Sequence, residues 1–213
     1  MLRCLFVRCA TQIGGVLAIL VTGCEREPAP DICPQIGVGD LVVSEVRGEQ
    51  TDDNSNLDQG QWIELYNASS GAIDLHGLQL LFRKVDGSAE GRVIVRRPVS
   101  VAAGARVVVS WFPDDALPAH VDYGWNPDFL NSSGNAASLF DNGVIDVLAC
   151  DLRIDRVRPE DLPAAGTWSL DVEPPDATAN DDAAAWCTDS TDDADPGTIG
   201  LPGTPRASNH PCP

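Results

Sequence analysis

The sequence predicts an all-β protein in which two sheets of short strands pack as a sandwich. About eight short segments alternate apolar and polar side chains, which is the two-residue period of a half-buried strand. Turn-forming residues separate these segments. After residue 23, no stretch of useful length repeats its apolar residues with the 3.6-residue period of an amphipathic helix. Many short strands separated by turns are typical of a β-sandwich.

The first half of the chain supplies the clearest strands. Residues 41–46 are a β-branched run, and residues 62–67 alternate cleanly. Residues 73–80 keep the same period across a break at Gly77. We expect residues 62–78 to form a hairpin across a tight polar turn. Its core-facing side chains should be Ile63, Leu65, Ile73 and Leu75.

The later strands follow the same pattern. A run at 92–96 follows a turn at 86–88, and residues 107–111 alternate. Residues 137–139 and 145–147 flank an Asp-Asn-Gly sequence, and Asn-Gly is a strong hairpin signal. Residues 168–172 complete the set.

The N-terminal residues look like a secretory signal. Residues 1–23 contain Arg3 and Arg8, no acidic residue, and a nine-residue apolar run at 13–21. A membrane-spanning helix needs about 20 apolar residues, so this run is too short to span a membrane and has the pattern of a cleaved signal.

The end of that segment, Leu20-Val21-Thr22-Gly23-Cys24, resembles a bacterial lipobox. The resemblance implies a lipoprotein in which Cys24 carries the lipid; an ordinary signal peptide is the alternative. We expect residues 24–38 to be a Pro-containing tether, 39–209 the sandwich domain and 210–213 a tail. The protein would be extracytoplasmic and membrane-anchored. Glu25 favours the outer membrane, because Asp at that position is associated with inner-membrane retention.

The cysteines agree with an oxidising compartment. Of seven, Cys4 and Cys9 belong to the signal and Cys24 to the lipid site. The remaining four can form two disulfides in three pairings: Cys33, Cys150, Cys187 and Cys212. We favour Cys150–Cys187, which would join a strand end to the segment after it, together with Cys33–Cys212, which would join the termini. A zinc site is disfavoured because the chain has no CxxC spacing.

The charge limits the classes of partner. The chain has 14 basic and 32 acidic residues, and removal of Arg3 and Arg8 leaves 12 against 32, a net charge near −20. General nucleic-acid binding needs a positive footprint, so it is not expected. The same balance repels anionic lipid headgroups, so the acyl chains would have to hold the membrane without electrostatic help.

Several blocks of the chain resemble the lamin-tail domain family. They include Gln61-Trp62-Ile63-Glu64-Leu65-Tyr66-Asn67, the Gly71–Leu78 stretch after it, residues 40–46, 102–109 and 129–146, and the closing residues 200–209. Leu201 departs from the Thr that is usual in the closing run. The resemblance implies an immunoglobulin-like sandwich without catalytic residues of its own.

Catalytic motifs are not evident. His76, His120 and His210 are far apart in sequence, and the chain has no His-Glu-x-x-His or Gly-x-Ser-x-Gly motif. We therefore expect no cofactor and no enzyme, but a binding, adhesion or envelope-structural module for an unknown envelope protein or glycan. The alternative is a secreted accessory or hydrolytic enzyme, associated with a nuclease, whose site is assembled from loops.

One loop is a candidate calcium site. Its alternate oxygen-bearing side chains are Asp52, Asn54, Asn56 and Asp58. The loop lacks the central Gly and the bidentate Glu of an EF-hand, so a solvated turn is favoured.

Two charged segments remain. Residues 171–195 hold nine acids and no base, and we expect an irregular acidic strap that Trp186 and Cys187 pin to the sandwich. An expected hairpin carries five bases: Arg83, Lys84, Arg92, Arg96 and Arg97. These bases are a candidate anion-binding patch, and protection of an edge strand from aggregation is the favoured alternative.

Overall fold

The computed structural model describes residues 32–50, 60–126, 139–140, 142–191 and 203–213. The expected signal sequence, the expected lipid site Cys24 and the candidate calcium loop lie outside these ranges. The described residues belong to one compact unit, Ile32–Pro213. That unit is wider than the predicted domain, since Ile36 is buried in the core and Cys212 is disulfide-bonded. No described helix is long and apolar enough to cross a membrane.

Twelve strands are present among the described residues. They are β1 (Leu41–Arg47), β2 (Trp62–Asn67), β3 (Ile73–Asp74), β4 (Leu78–Lys84), β5 (Glu90–Ile94), β6 (Ser100–Val101), β7 (Arg106–Pro113), β8 (Tyr123–Asn126), β9 (Gly143–Ala149), β10 (Leu152–Val157), β11 (Thr167–Leu170) and β12 (Trp186–Asp189). Two short 3-10 turns, Ala179–Asp181 and Ala183–Ala185, lie between β11 and β12.

The strands form three sheets, so the predicted all-β sandwich is confirmed. The six-stranded sheet has the order β12-β11-β1-β2-β7-β8, the four-stranded sheet has the order β10-β9-β4-β5, and β3 pairs with β6. Every described strand pair is antiparallel except β7–β8, which is parallel. The inner faces of the two larger sheets enclose one apolar core.

The predicted core side chains of β2 and of the segment at 73–75 are confirmed. Ile63 and Leu65 are fully buried, and Ile73 and Leu75 lie in the same cluster. Burying an aliphatic side chain of this size contributes roughly 1.5–3 kcal/mol to folding.

The predicted hairpin between these strands is wrong. β2 pairs with β1 and β7, whereas β3 pairs with β6. The Asn67 amide explains the change of direction, because it donates to the carbonyls of Gly71 and Val101 while its oxygen accepts from the Ser69 backbone NH. The polar turn is real, but it carries the chain out of the sheet.

The hairpin predicted around Asn142-Gly143 is not formed as predicted either. Residues 137–138 lie outside the described ranges, and Leu139 and Phe140 are not in a strand. β9 pairs instead with β4 and with β10, which follows after a turn at Cys150 and Asp151. The predicted turn at 86–88 does join the β4–β5 hairpin, where Gly87 has the positive φ of 74° that the turn requires.

The favoured disulfide pairing is wrong. The bonds are Cys33–Cys150 and Cys187–Cys212, with Cα–Cα distances of 5.4 and 5.8 Å. The N-terminal segment runs beside the β9–β10 end of the four-stranded sheet, where the Gly39 backbone NH donates to the Ile154 carbonyl. Cys33 therefore meets Cys150, which leaves Cys187 on the outer strand β12 for the C-terminal segment.

Candidate functional site

Two glutamates lie side by side on the outer face of the six-stranded sheet. Glu45 on β1 and Glu64 on β2 are register partners, and both are fully buried. A β-bulge between Val43 and Glu45 allows this, because Val43 and Val46 both remain in the core. Glu45 and Glu64 together are called the carboxylate pair below.

Glu45 accepts hydrogen bonds from the neighbouring strand β11 and from the C-terminal segment. The hydroxyls of Thr167 and Ser169 on β11 donate to its Oε1 at 2.6 and 2.9 Å. The backbone NH of Thr204 donates to the same oxygen at 3.1 Å. Burial nevertheless raises the pKa of Glu45, because the carboxylate has lost its hydration.

Glu64 is held in the same way. The Ser44 hydroxyl donates to Oε1 at 2.7 Å, and the backbone NH of Arg206 donates to Oε2 at 2.6 Å. Arg106 Nε lies 3.3 Å from Oε1. Burial, followed by the nearby charge of Glu45, raises the pKa of Glu64 well above its ordinary value.

Residues 203–209, called the covering segment below, lie over the carboxylate pair. Gly203 has a φ of 106°, and a Cβ there would lie 2.8 Å from Glu45 Oε1, so only glycine fits. The side-chain amide of Asn209 donates to the carbonyls of Ser44 and Leu170, which fixes the far end of the segment across β1 and β11.

His120 adds a neutral group to this side of the molecule. Its ring is 2% exposed. Burial, followed by the charges of Arg47 and Arg206, lowers its pKa to about 4. The glutamates and the imidazole are therefore enclosed by the chain itself. Within the described ranges, no group of three or more His, Cys, Asp or Glu side chains is placed to hold a metal ion.

The outer face of the four-stranded sheet carries mostly partly or fully exposed side chains. Residues directly opposite each other in antiparallel strands share a face. The register therefore places three rows there: Glu90-Arg83-Val144, Arg92-Leu81-Asp146-Arg156, and Ile94-Gln79-Leu148-Arg153. We call this surface the arginine face, after Arg83, Arg92, Arg153 and Arg156.

Asp146 is the buried centre of the arginine face. Its carboxylate is 2% exposed and binds Arg83 Nη2 as well as Arg156, whose Nε lies 2.5 Å away. Arg92 is half exposed and 4.0 Å from Glu90. Arg153 is exposed and has no partner among the described residues. Four arginines against two carboxylates give the face a charge of +2, whereas the whole chain carries −18.

A family model of the lamin tail domain matches residues 34–151, more than half of the chain. This protein belongs to the lamin tail domain family. No curated protein matches the chain. The matched part of this lamin tail domain contains β1 to β9, so the last three strands and the covering segment follow it.

The five bases of the predicted patch are divided by the lamin tail domain fold. Arg83 and Arg92 lie on the arginine face. Lys84 lies over the Phe140 ring, with Nζ 5.6 Å from its centre. Arg97 pairs with Asp114 at 2.6 and 2.7 Å, and the backbone NH of Arg96 donates to the Tyr123 hydroxyl.

Arg153 and Arg156 were missed because β10 was not recognised. A register shift between Arg153 and Asp155 interrupts the two-residue alternation of the strand. The sequence signal for β10 was the spacing of the apolar residues Leu152, Ile154 and Val157. This spacing fits a strand only if one extra residue is allowed for a β-bulge.

The acidic strap is pinned as predicted, but part of it is regular. Trp186 stacks on Trp168 with ring centres 3.7 Å apart, and β12 is an edge strand beside β11. Asp189 Oδ2 lies 2.7 Å from the His210 ring. The last three acids of the strap, Asp192, Asp193 and Asp195, lie outside the described residues.

Proposed function

We propose that this lamin tail domain protein is a lipid-anchored, non-enzymatic module that binds a partner or serves a structural role in the cell envelope. The observation that carries this proposal is the closure of the carboxylate pair. Glu45 and Glu64 have raised pKa values, which is a common property of catalytic acids. Because backbone NH groups of the covering segment donate to both glutamates, the two carboxylates hold this segment against the sheet, which is a structural role.

The disulfides support an extracytoplasmic location. Cys33–Cys150 and Cys187–Cys212 indicate an oxidising, extracytoplasmic environment. The lipobox-like Thr22-Gly23-Cys24 sequence supports anchorage by acyl chains, and Glu25 supports the outer membrane. Several acyl chains on one cysteine hold a protein firmly on a bilayer.

The anchor is tested by growing the producing bacterium with an alkyne-tagged palmitate. The wild-type protein should carry the label and partition into detergent, and Cys24→Ala should lose both properties. Cys9→Ala is the matched control, since this cysteine precedes the lipobox and its replacement should leave labelling unchanged. An unlabelled wild-type protein recovered in solution would contradict the anchor.

The binding role is tested by capturing the intact protein from its own envelope after mild crosslinking. A discrete envelope protein or glycan should be recovered. The same preparation is then assayed for hydrolysis of nucleic acid, ester and glycan substrates. Hydrolysis that disappears in Glu64→Gln would show that the carboxylate pair is catalytic and would overturn the proposal.

A further inference from the structure

We propose that the arginine face docks on the anionic lipid headgroups of the membrane that carries the acyl anchor. This inference rests on the lipid anchor proposed above. It concerns which surface of the folded unit meets the bilayer, and it names the chemistry of the partner as phosphate-bearing lipid.

The chemistry of the face suits such a surface. The planar guanidinium groups of Arg92 and Arg153, which are not hydrogen-bonded to Asp146, can bind phosphate oxygens in a bidentate manner. Partly exposed aliphatic side chains share the face, with Ile94 and Leu148 in the row of Arg153 and Val144 in the row of Arg83. Basic groups attract anionic headgroups and apolar groups bury in the headgroup region, and their combination favours binding at a membrane interface.

The N-terminal segment reaches the same sheet. The Cys33–Cys150 disulfide joins it to the end of β9, next to the turn that leads into β10. Gly77, just before β4, lies against it so closely that a Cβ would be 2.1 Å from the Ile32 carbonyl oxygen. Only eight residues lie between Cys24 and Cys33, and the nine Cα–Cα steps span at most about 32 Å when fully extended. The anchor therefore keeps the bilayer within that distance of Cys33, at the end of the four-stranded sheet where the disulfide lies.

Exposed apolar side chains lie at the end of the four-stranded sheet that the N-terminal segment joins. The large hydrophobic side chains exposed among the described residues are Val38, Val85 and Leu152. Val38 precedes Gly39, which bonds to Ile154 on β10, and Leu152 begins β10 beside the disulfide. Two of the three thus lie where the N-terminal segment joins the four-stranded sheet, at the edge of the arginine face and not in its rows.

The net charge of the chain does not oppose this contact. Coulomb interactions between exposed charges are screened beyond a Debye length of about 8 Å at physiological ionic strength. The charge of the contacting surface therefore decides the interaction, and the arginine face is positive. The sequence-based expectation that headgroups repel the protein holds for its average charge and not for this face.

The test uses the intact lipidated protein on vesicles of phosphatidylcholine, with or without about one third phosphatidylglycerol. Phenylglyoxal then modifies accessible arginines, and mass spectrometry gives the rate at each position. On anionic vesicles, Arg92 and Arg153 should react about fivefold more slowly, which corresponds to one favourable headgroup contact each. Arg206, which is half exposed on the other side of the sandwich, is the internal reference and should not change.

Two variants identify the surface. Arg153→Gln should remove the protection of Arg92 on anionic vesicles. Ser100→Glu changes the net charge by the same one unit at an exposed position outside the four-stranded sheet, and it should keep that protection. Added salt should abolish the protection in the wild-type protein.

The outcomes separate the two proposals. If the protein does not float with either type of vesicle, the lipid anchor fails. If it floats with both but Arg92 and Arg153 react equally on both, the anchor stands and the docking proposal is overturned. Stronger protection by a soluble acidic polysaccharide than by anionic vesicles would also overturn it, since the face would then be a glycan site.

Discussion

The outer faces of the two larger sheets both bury carboxylates, but they cover them differently. Glu45 and Glu64 lie under the covering segment and are bonded mainly by hydroxyl and backbone NH groups. Asp146 is equally buried, yet Arg83 and Arg156 cover it, and these side chains are more than one third exposed.

This difference separates a structural role from a binding role. The covering segment closes one face by donating backbone NH groups to Glu45 and Glu64, so neither carboxylate is accessible to a partner. On the other face, long arginine side chains shield the carboxylate and still present guanidinium groups to solvent. The family match ends at residue 151, so the closed face depends on chain that follows the matched region.

Removing the disulfides should have the largest effect on stability and should separate the two faces. Cys33 and Cys150 are 117 residues apart, and Cys187 and Cys212 are 25 apart. Loop-closure entropy then gives about 5 kcal/mol for the first bond and about 3.5 kcal/mol for the second. Double alanine variants of each pair, compared by guanidinium denaturation, should keep that order. A larger loss for Cys187→Ala with Cys212→Ala would mean that the closed face depends on its disulfide more than chain entropy predicts.

Truncating Glu64 should be the most damaging single change on the closed face. Glu64→Ala leaves the buried Arg106 without this partner and the Ser44 hydroxyl and Arg206 NH without an acceptor. Breaking a buried pair costs about 3–5 kcal/mol, measured as the free energy of unfolding. Glu90→Ala is the control, because Glu90 is half exposed and 4.0 Å from Arg92; it should cost less than about 1 kcal/mol. Equal costs would show that the closed face is not a desolvated layer.

Features that depend on neighbouring residues could be predicted from the sequence, whereas features that depend on contacts between distant parts of the chain could not. The alternation of Ile63 and Leu65 predicted the core correctly, because it reports local periodicity. The same strand placed Glu64 on its other face, but burial of that face depends on Arg206, which is 142 residues away. The false hairpin had a similar cause, since Asn67 directs the chain toward Val101 through a long-range bond.

The charged sites illustrate the same limit. Arg83 and Arg92 were identified as basic residues of one hairpin, and that hairpin exists. Their companions Arg153 and Arg156 come from a strand that a bulge conceals in the sequence. The disulfides were expected but mispaired, because pairing follows the path of the termini around the sandwich and not the spacing of cysteines.

The pH dependence of stability should distinguish the buried groups of the closed face. The pKa of Glu64 is raised in the folded state, so this group makes the fold less stable as pH rises above its ordinary value of 4.5. The pKa of His120 is lowered from 6.5 to about 4, so its contribution is present above pH 6.5 and is lost as pH falls toward 4. The two effects oppose each other between these values.

Single substitutions should expose each effect. Relative to wild type, Glu64→Gln should lose stability more steeply as pH falls from 6.5, because only the His120 effect is left of the two. His120→Phe should gain stability relative to wild type over the same range. Thermal unfolding at a series of pH values measures both. Variants whose curves run parallel to that of the wild type would show that neither group titrates in this window.

The smallest effect on stability should come from the arginine face. Asp146→Ala removes a carboxylate as buried as Glu64, but the guanidinium groups of Arg83 and Arg156 can take water in its place because both are partly exposed. The expected loss is about 1–2 kcal/mol, less than for Glu64→Ala. The change also raises the charge of the face from +2 to +3, so protection of Arg153 on anionic vesicles should strengthen about fivefold. A stability loss equal to that of Glu64→Ala, without stronger protection of Arg153, would contradict this prediction. The arginines would then stabilise the buried Asp146 and would not bind lipid headgroups.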